Sequence, residues 1–438
     1  QSAPEIPVIG NKQQFRMSQF RCLALTALLL APIVVSAAPF DGQTFRGRIA
    51  WSADGNYNDQ DDWAASPVAL AIFARSGVAD RLVHFDYNCI LYDNNSVWAK
   101  THADNILGAV ARFGYRSDRF FDCQNELEAA VESIAAAVNA SAADDPLWFV
   151  LAGPMEVPWR GLKKADPAKL KFVYCISHSR WNDGFDQKSG GRFWFTKRAL
   201  IPLGVKWVQI TDQNQFLSTS RYGAPAREPD WQPWFWIRDS AGPDGRFLWE
   251  CLRSVTRADC SDAGMARFLV TGDEENTVSK LRELLEGRQV ATPIAEPKKI
   301  RLEAENFHEL DGYEVKYVND RKASHRLSVV LTNGKAGRIR TAFDEPYSAS
   351  GVYDVDVRYY DAPGGNATFR LFLNGRRQGD SWTAVADNGT WRTYTVTNVF
   401  LSIGDNLEIE ARGDGRELAE LDFIELHRLN QALRQGNR

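Results

Sequence analysis

The chain has 438 residues, too many for one ordinary domain, and a 44% hydrophobic content that excludes a largely disordered polypeptide. Its 52 Lys and Arg against 56 Asp and Glu leave a formal net charge of −4, which gives no attraction to nucleic acid or to an anionic membrane. Fourteen Trp and 13 Tyr supply flat amphipathic rings, which fill cores and also stack on sugars.

From Met17 the chain reads as a secretory signal peptide: Arg21 is the positive end, 22–35 the apolar stretch, and Ser36-Ala-Ala the cleavage region. Residues 1–16 read as upstream sequence, so 1–38 are set aside from fold reasoning. The mature protein is expected to be secreted, extracellular or periplasmic, and off the membrane once the signal is removed. With Cys22 in that segment, Cys89, Cys123, Cys175, Cys251 and Cys260 remain, and no pair has a CxxC spacing. One or two disulfides are expected, with Cys251 and Cys260 the nearest pair in sequence.

Residues 39–287 alternate strand-like and helical patterns. Strands are predicted at 46–53, 81–87, 147–152, 171–176 and 205–210, and helices at 63–76, 102–113, 125–138 and 274–285. That grammar predicts an α/β domain, a mostly parallel sheet with helices on both faces, whose functional groups collect beyond the carboxyl ends of the strands. A Pro-containing linker follows at 288–299. Over 300–427, short alternating segments are separated by Pro363-Gly-Gly-Asn, Asn374-Gly and Gly413-Asp-Gly, which predicts an all-β jelly-roll sandwich before a tail at 428–438.

The first predicted strand runs into Asp54-Gly-Asn-Tyr-Asn-Asp59-Gln-Asp61-Asp62, four carboxylates and three amides in nine residues. Helix capping accounts for one Asp and leaves three unexplained. Carboxylates packed this closely suit a hard cation, sugar hydroxyls, or general acid and base work.

This strand and Asp-rich loop, opening a helix of small residues, resembles the nucleoside hydrolase family, whose D-x-D-P-G-x-D-D signature binds Ca²⁺ and ribose. Leu147-Trp-Phe-Val-Leu-Ala-Gly-Pro-Met-Glu-Val resembles that family's strand ending in G-P-L-T-N, and the run from Phe172 to Asp183 falls where it has another site loop. The resemblance implies the fold for most of 46–280. Asp54, Asp61 and Asp62 match its acidic positions, and Asp262 matches its late Asp loop. Asn56 stands where the family has its middle Asp, and Glu156 and Val157 replace the Thr and Asn. Those departures point to a site re-tooled for another glycosidic bond.

Candidate catalytic residues are therefore Asp54, Asp59, Asp61, Asp62, Glu156, His178 and Asp183. Candidate substrate contacts at strand ends are Asn56, Asp86, Asn88, Trp181 and Asp212. The aromatic run at 228–238 reads equally as a core plug or as a wall against which sugar rings stack. No nucleophile elbow, P-loop or GxGxxG is present, which argues against an esterase, a kinase or a dehydrogenase.

The C-terminal segment starts Ile300-Arg-Leu-Glu-Ala-Glu-Asn-Phe and ends Ala419-Glu-Leu-Asp-Phe-Ile-Glu-Leu. It resembles carbohydrate-binding modules of the family-6 type. The resemblance implies a structural Ca²⁺ held by Glu303, Glu305 and Asp422, and sugar against loop aromatics, here Tyr313, Tyr317, Trp382 or Trp391. A tethered module serves an enzyme that works on a polymer. The expected function is a secreted glycoside hydrolase acting on an extracellular polysaccharide, with a galactan such as agar the leading candidate. The alternatives are a nucleoside N-ribohydrolase and a non-catalytic carbohydrate-binding protein.

Overall fold

The computed structural model describes the chain from Phe45 to Leu429 apart from 58–59, 92–94, 185–193, 222–223, 241, 288–298, 319–321, 333–335, 345–348 and 387. The segment expected to be a signal peptide, Asp59 and nearly all of the expected linker lie outside the described residues. Residues 36–438 form one compact unit.

The first half builds a six-stranded sheet from β1 (Arg48–Ala53), β2 (Leu82–Tyr87), β3 (Phe120–Asp122), β4 (Leu147–Ala152), β5 (Val173–Ser177) and β6 (Lys206–Gln209). Every pairing is parallel, in the order β3-β2-β1-β4-β5-β6. Parallel strands buried on both faces read as continuous apolar runs, and β4 (LWFVLA) is one. Its Trp148, Val150 and Ala152 enter one core with α1 (Asp62–Arg75) and α2 (Ser96–Phe113). Its Leu147, Phe149 and Leu151 enter another with α3 (Leu127–Asn139) and α4 (Glu156–Lys164).

Helix α1 is buried from Asp62 to Phe73, because α2 and the helices Pro243–Ser254 and Ala263–Thr271 pack around it. Those last two helices and the three-residue β3 were not predicted. Helix α2 begins six residues before its predicted start, since the Asn95 side chain accepts the N–H groups of Val97 and Trp98 and caps it there.

The aromatic run at 228–238 is a core plug. Trp231, Trp234 and Ile237 are buried, and the Trp234 indole donates to Thr219 Oγ1 at 2.8 Å. The expected disulfides are not formed: the five described cysteines are free and buried, and Cys123 Sγ donates to Asp86 Oδ1 at 3.6 Å. Among the described residues no helix is long and apolar enough to cross a membrane.

The second half is antiparallel. Its strands are β7 (Lys299–Glu303), β8 (Glu309–Asp311), β9 (Tyr313–Tyr317), β10 (Leu327–Leu331), β11 (Gly337–Ala342), β12 (Gly351–Asp361), β13 (Thr368–Leu373), β14 (Arg376–Thr383), β15 (Thr390–Leu401), β16 (Asn406–Arg412) and β17 (Glu420–Arg428). One sheet runs β15-β12-β17-β10-β9, with β7 also on β17, and the other β14-β13-β16-β11-β8. Inward residues of β12 alternate strictly with outward ones, as a two-sheet core requires. Asn374 and Gly375, at φ 49° and 74°, make the tight turn between β13 and β14.

Candidate functional site

In this strand order the connections leave β1 and β4 in opposite directions, and a crevice opens at the carboxyl ends of that neighbouring pair. Asp54 is the first residue after β1, and the Gly153-Pro-Met turn follows β4. A Cβ on Gly153 would lie 2.9 Å from the Cβ of Asp54, so a glycine is needed for this approach.

Asp62 does not cap α1. Its Oδ2 accepts the backbone N–H of Gly55 at 3.1 Å and of Asp54 at 3.4 Å, closing the loop on itself. The Trp63 indole fastens the same loop by donating to the Gly55 carbonyl at 2.6 Å. Asp61, at the N-cap position, makes no capping bond and accepts from Ser261 Oγ at 3.2 Å. Ser261 and Asp262 lie just before the helix Ala263–Thr271, so a chain segment 200 residues away completes the cluster. One carboxylate oxygen each from Asp61, Asp62 and Asp262 lie within 4.8 Å of one another, and all three residues are buried. Burial first, and then Asp62 beside it, push Asp54 well above the usual carboxylate range.

His178 follows β5 and sets its Nε2 2.7 Å from Asp262 Oδ1. Its Nδ1 faces Asp212 Oδ1 at 3.5 Å and the Gln213 N–H at 3.2 Å. Burial disfavours the imidazolium, but bonding to Asp212 and Asp262 outweighs it and raises the ring to about 10. Asp212 is conversely held down to about 2 by His178, against the pull of burial. The neutral ring would accept from Gln213, whereas the charged ring turns Nδ1–H to Asp212. The Gln213 N–H directed at Nδ1 suits the neutral ring and the two carboxylates favour the imidazolium, so His178 stands between the aspartates as a group able to carry a proton.

Glu156 opens α4 with no exposed surface. Its Oε1 accepts the N–H of Trp194 at 2.8 Å and of Phe195 at 3.5 Å, while Oε2 is buried without a hydrogen bond among the described residues. Burial raises this carboxyl above its ordinary value, against those backbone bonds. Burial, Glu156 and Asp62 help hold the Cys89 thiol up at about 12. Trp181, half-buried, packs on Tyr57 of the Asp loop with ring centroids 6.3 Å apart and joins the loops after β1 and β5.

Four other predicted residues are occupied elsewhere. Asn56 accepts the Cys89 N–H at 2.8 Å and donates to the Cys89 carbonyl at 3.0 Å, which ties two loops together. Asp86 lies inside β2, where Ser52 Oγ at 2.7 Å and His84 Nε2 at 2.9 Å hold it, and His84 bonds Ser133 in turn. Asn88 bonds the Ala99 carbonyl and Asp122. Asp183 is buried, accepting from Ser177 Oγ at 2.6 Å. Burial raises its carboxyl, against the attraction of Lys197. Sequence reasoning read these as loop groups because their partners are distant in the chain.

In the sandwich, Trp382 stacks on Tyr394 (4.4 Å, 8°) and Phe369 (5.6 Å, 15°) within the core, so its faces are closed to sugar. Tyr313 is buried as well. Trp391 is half-buried, edge-on to Tyr360 and under Arg358. Glu303, Glu305 and His325 form a second cluster with ligand atoms within 4.8 Å of one another. Both carboxylate oxygens of fully buried Glu305, Glu303 Oε2 and His325 Nδ1 lack hydrogen bonds among the described residues. Inward-facing orphan donors of this kind fit a cation. Asp422 lies alongside, accepting the Ser324 N–H at 2.9 Å and meeting Arg358 at 3.3 Å. Burial and the neighbouring glutamates raise Glu303 to about 7 and Asp422 to about 8. His325, which the sequence reading did not single out, has φ 47°, a left-handed turn that aims its ring at the glutamates.

No family model matches the chain. It is 28% identical over 265 residues to "Uncharacterized protein P22" of Formosa agariphila, a match spanning 55% of this chain and 92% of that one. It is 32% identical over 137 residues to an alpha-glucuronidase of Hypocrea jecorina and 31% over 140 to a probable alpha-glucuronidase A of Aspergillus niger. Each of those matches spans 29% of this chain and only 16% of the relative's length. Among solved structures, a family 35 carbohydrate binding module from Clostridium thermocellum matches 30% of this chain and all of its own, at 21% identity and a TM-score of 0.26.

Proposed function

We propose that the chain is an exported, carbohydrate-active hydrolase that opens a glycosidic bond at the carboxyl edge of β1 and β4, with the sandwich holding the polymer. The observation that carries this reading is the meeting of Asp54, Asp61, Asp62, Asp262 and His178 at the crevice between those strands. The carboxyls there divide by environment. Burial shifts Asp54 and Glu156 toward the protonated form, which suits giving a proton to a leaving oxygen, whereas Asp61, Asp62 and Asp262 converge as a set of carboxylate oxygens. That set suits sugar hydroxyls, activation of water, or a hard cation such as Ca²⁺, which when bound would supply Lewis-acid polarisation. Trp181 offers a stacking face at the rim. In the sandwich Glu303, Glu305 and His325, with Asp422 beside them, would hold a second cation of structural use.

An O-glycosidic bond in a polysaccharide, a galactan such as agar first among them, is the substrate class we favour, because an attached sugar-binding sandwich raises local concentration only on a polymer. The pairing of Asp61 and Asp62 with the late Asp262 favours a second reading, nucleoside N-ribohydrolysis, since the resemblance in sequence implies that same set. The test is sugar release from a polysaccharide panel that includes agar, run beside inosine and p-nitrophenyl riboside. Reducing ends from a polymer that fall on Asp61→Asn support the first reading. Base release from inosine alone overturns it in favour of the second, and binding with no turnover on any substrate overturns both.

A further inference from the structure

The second carboxylate cluster lies where the two halves of the protein touch. From the α/β half, Arg198 of the short helix Lys197–Leu200 donates through Nη1 to the Glu305 carbonyl at 2.8 Å. Arg180, in the loop after β5, donates through Nη1 to the His325 carbonyl, also at 2.8 Å. The two carbonyls so held belong to two of the three residues whose side chains converge on one point. Lys197, buried with its ammonium 2.9 Å from Gln209 Oε1, is attracted by Asp183, Glu305 and Glu303. Further along the same contact, His308 Nε2 meets the Val205 carbonyl at 2.9 Å and Lys206 pairs with Asp344 at 2.5 Å. The backbone of Glu305 and His325 therefore faces one half of the protein while their side chains face the cation site of the other.

We propose that this cation site is also the latch between the halves. A divalent cation bound by Glu303, Glu305 and His325 fixes the carbonyls that Arg198 and Arg180 grip, and so orders β6 and the helix before it. The inference rests on the reading of this cluster as a cation site and goes beyond it. Because coupling is reciprocal, a docked α/β half tightens the cation site by the same factor. Two features separate this arrangement from an ordinary seam. Glu305 is fully buried and neither of its carboxylate oxygens has a hydrogen bond among the described residues, with His325 Nδ1 3.8 Å away, so a bound cation would supply ligand contacts that the protein leaves open. The grips also fall on main-chain carbonyls, which a side-chain rotamer change cannot release.

The test uses the full chain and Ca²⁺ alone. Equilibrium dialysis measures binding, and backbone hydrogen exchange with Ca²⁺ or with excess chelator is followed in peptides covering 197–209, 303–308 and 324–328. The expected result is that Ca²⁺ slows exchange in all three segments, by about tenfold in 197–209. Arg198→Ala should keep Ca²⁺ bound in the sandwich while the effect on 197–209 disappears. Glu305→Gln should abolish the effect everywhere, which separates this site from the aspartates of the other crevice. Protection confined to 303–308 and 324–328 would overturn the latch and leave the cation reading standing. Protection of 197–209 that survives Glu305→Gln would overturn the latch too. No Ca²⁺ retained in dialysis would overturn the cation reading itself.

Discussion

Gly153 and Asp54 touch so closely that a single added methyl group has no room: the missing Cβ would sit 2.9 Å from the aspartate's own. The turn after β4 thereby buttresses the acid that ends β1. Gly153→Ala must displace that carboxyl or shift the turn. We expect a loss of about 1–3 kcal/mol in urea unfolding. Hydrolysis should fall by about 10²-fold, because small misplacements of a reacting group are costly. A variant with parental turnover would remove Asp54 from the chemistry.

Glu156 allows two effects to be read from one substitution. A buried carboxyl whose value is raised in the fold binds its proton more tightly there than in the unfolded chain, so it lowers stability once pH rises past its ordinary range. Glu156→Gln keeps an oxygen for the Trp194 N–H and carries no charge. The variant should therefore melt higher than the parent at neutral pH and equally at acid pH. If Glu156 is the proton donor, turnover drops by about 10²–10⁴-fold as well. Unchanged turnover would leave it as an anchor for the Trp194 segment.

The two tryptophans of the sandwich should separate cleanly. Trp382→Ala removes a ring packed between Tyr394 and Phe369 and should cost about 3–5 kcal/mol of stability. Trp391→Ala, at a half-buried ring, should change the melting temperature little and weaken retention on polysaccharide by about tenfold. Retention by Trp391→Ala equal to the parent's would move the sugar to another face.

Lys206 and Asp344 bridge the two halves at 2.5 Å, with Tyr174 OH a further partner at 3.1 Å. Burial opposes the ammonium, but Asp344 and Tyr174 prevail and raise its value. A lysine raised on folding contributes stability that is complete below its unfolded value, about 10.4, and lost as pH climbs through the folded one. Lys206→Met should therefore cost about 1–3 kcal/mol, and that difference should be level from about pH 6 to pH 9 and shrink only beyond it. A penalty that varied across the neutral range would show that another group carries it.

The two-part architecture, β1, α1 and the Asp-rich loop were legible because each is written in one continuous stretch with its own period. The partner of that loop, Asp262, was legible only through the resemblance of its segment to a late Asp loop, since nothing local says which loop it meets. The bonds that hold Asn56 and Asp86, to the Cys89 backbone and within a Ser52–Asp86–His84–Ser133 chain, are not legible in sequence because the sheet assembles them. Trp382 was misread because a tryptophan near a strand end looks the same in sequence whether it points out or in. The helices Pro243–Ser254 and Ala263–Thr271 escaped because α1, which they cover, is apolar all round and gives no sign of which side needs a neighbour.

The five described thiols are free and buried in the native fold. Folding requires no oxidant and no reshuffling of bonds, so a reducing cytoplasm and an oxidising exterior give the same native chain. Once opened by heat in air, the chain exposes several thiols at once, and any two that meet are joined wrongly. Its durability in an oxidising medium is therefore governed by how seldom it opens, since little that opens there can return.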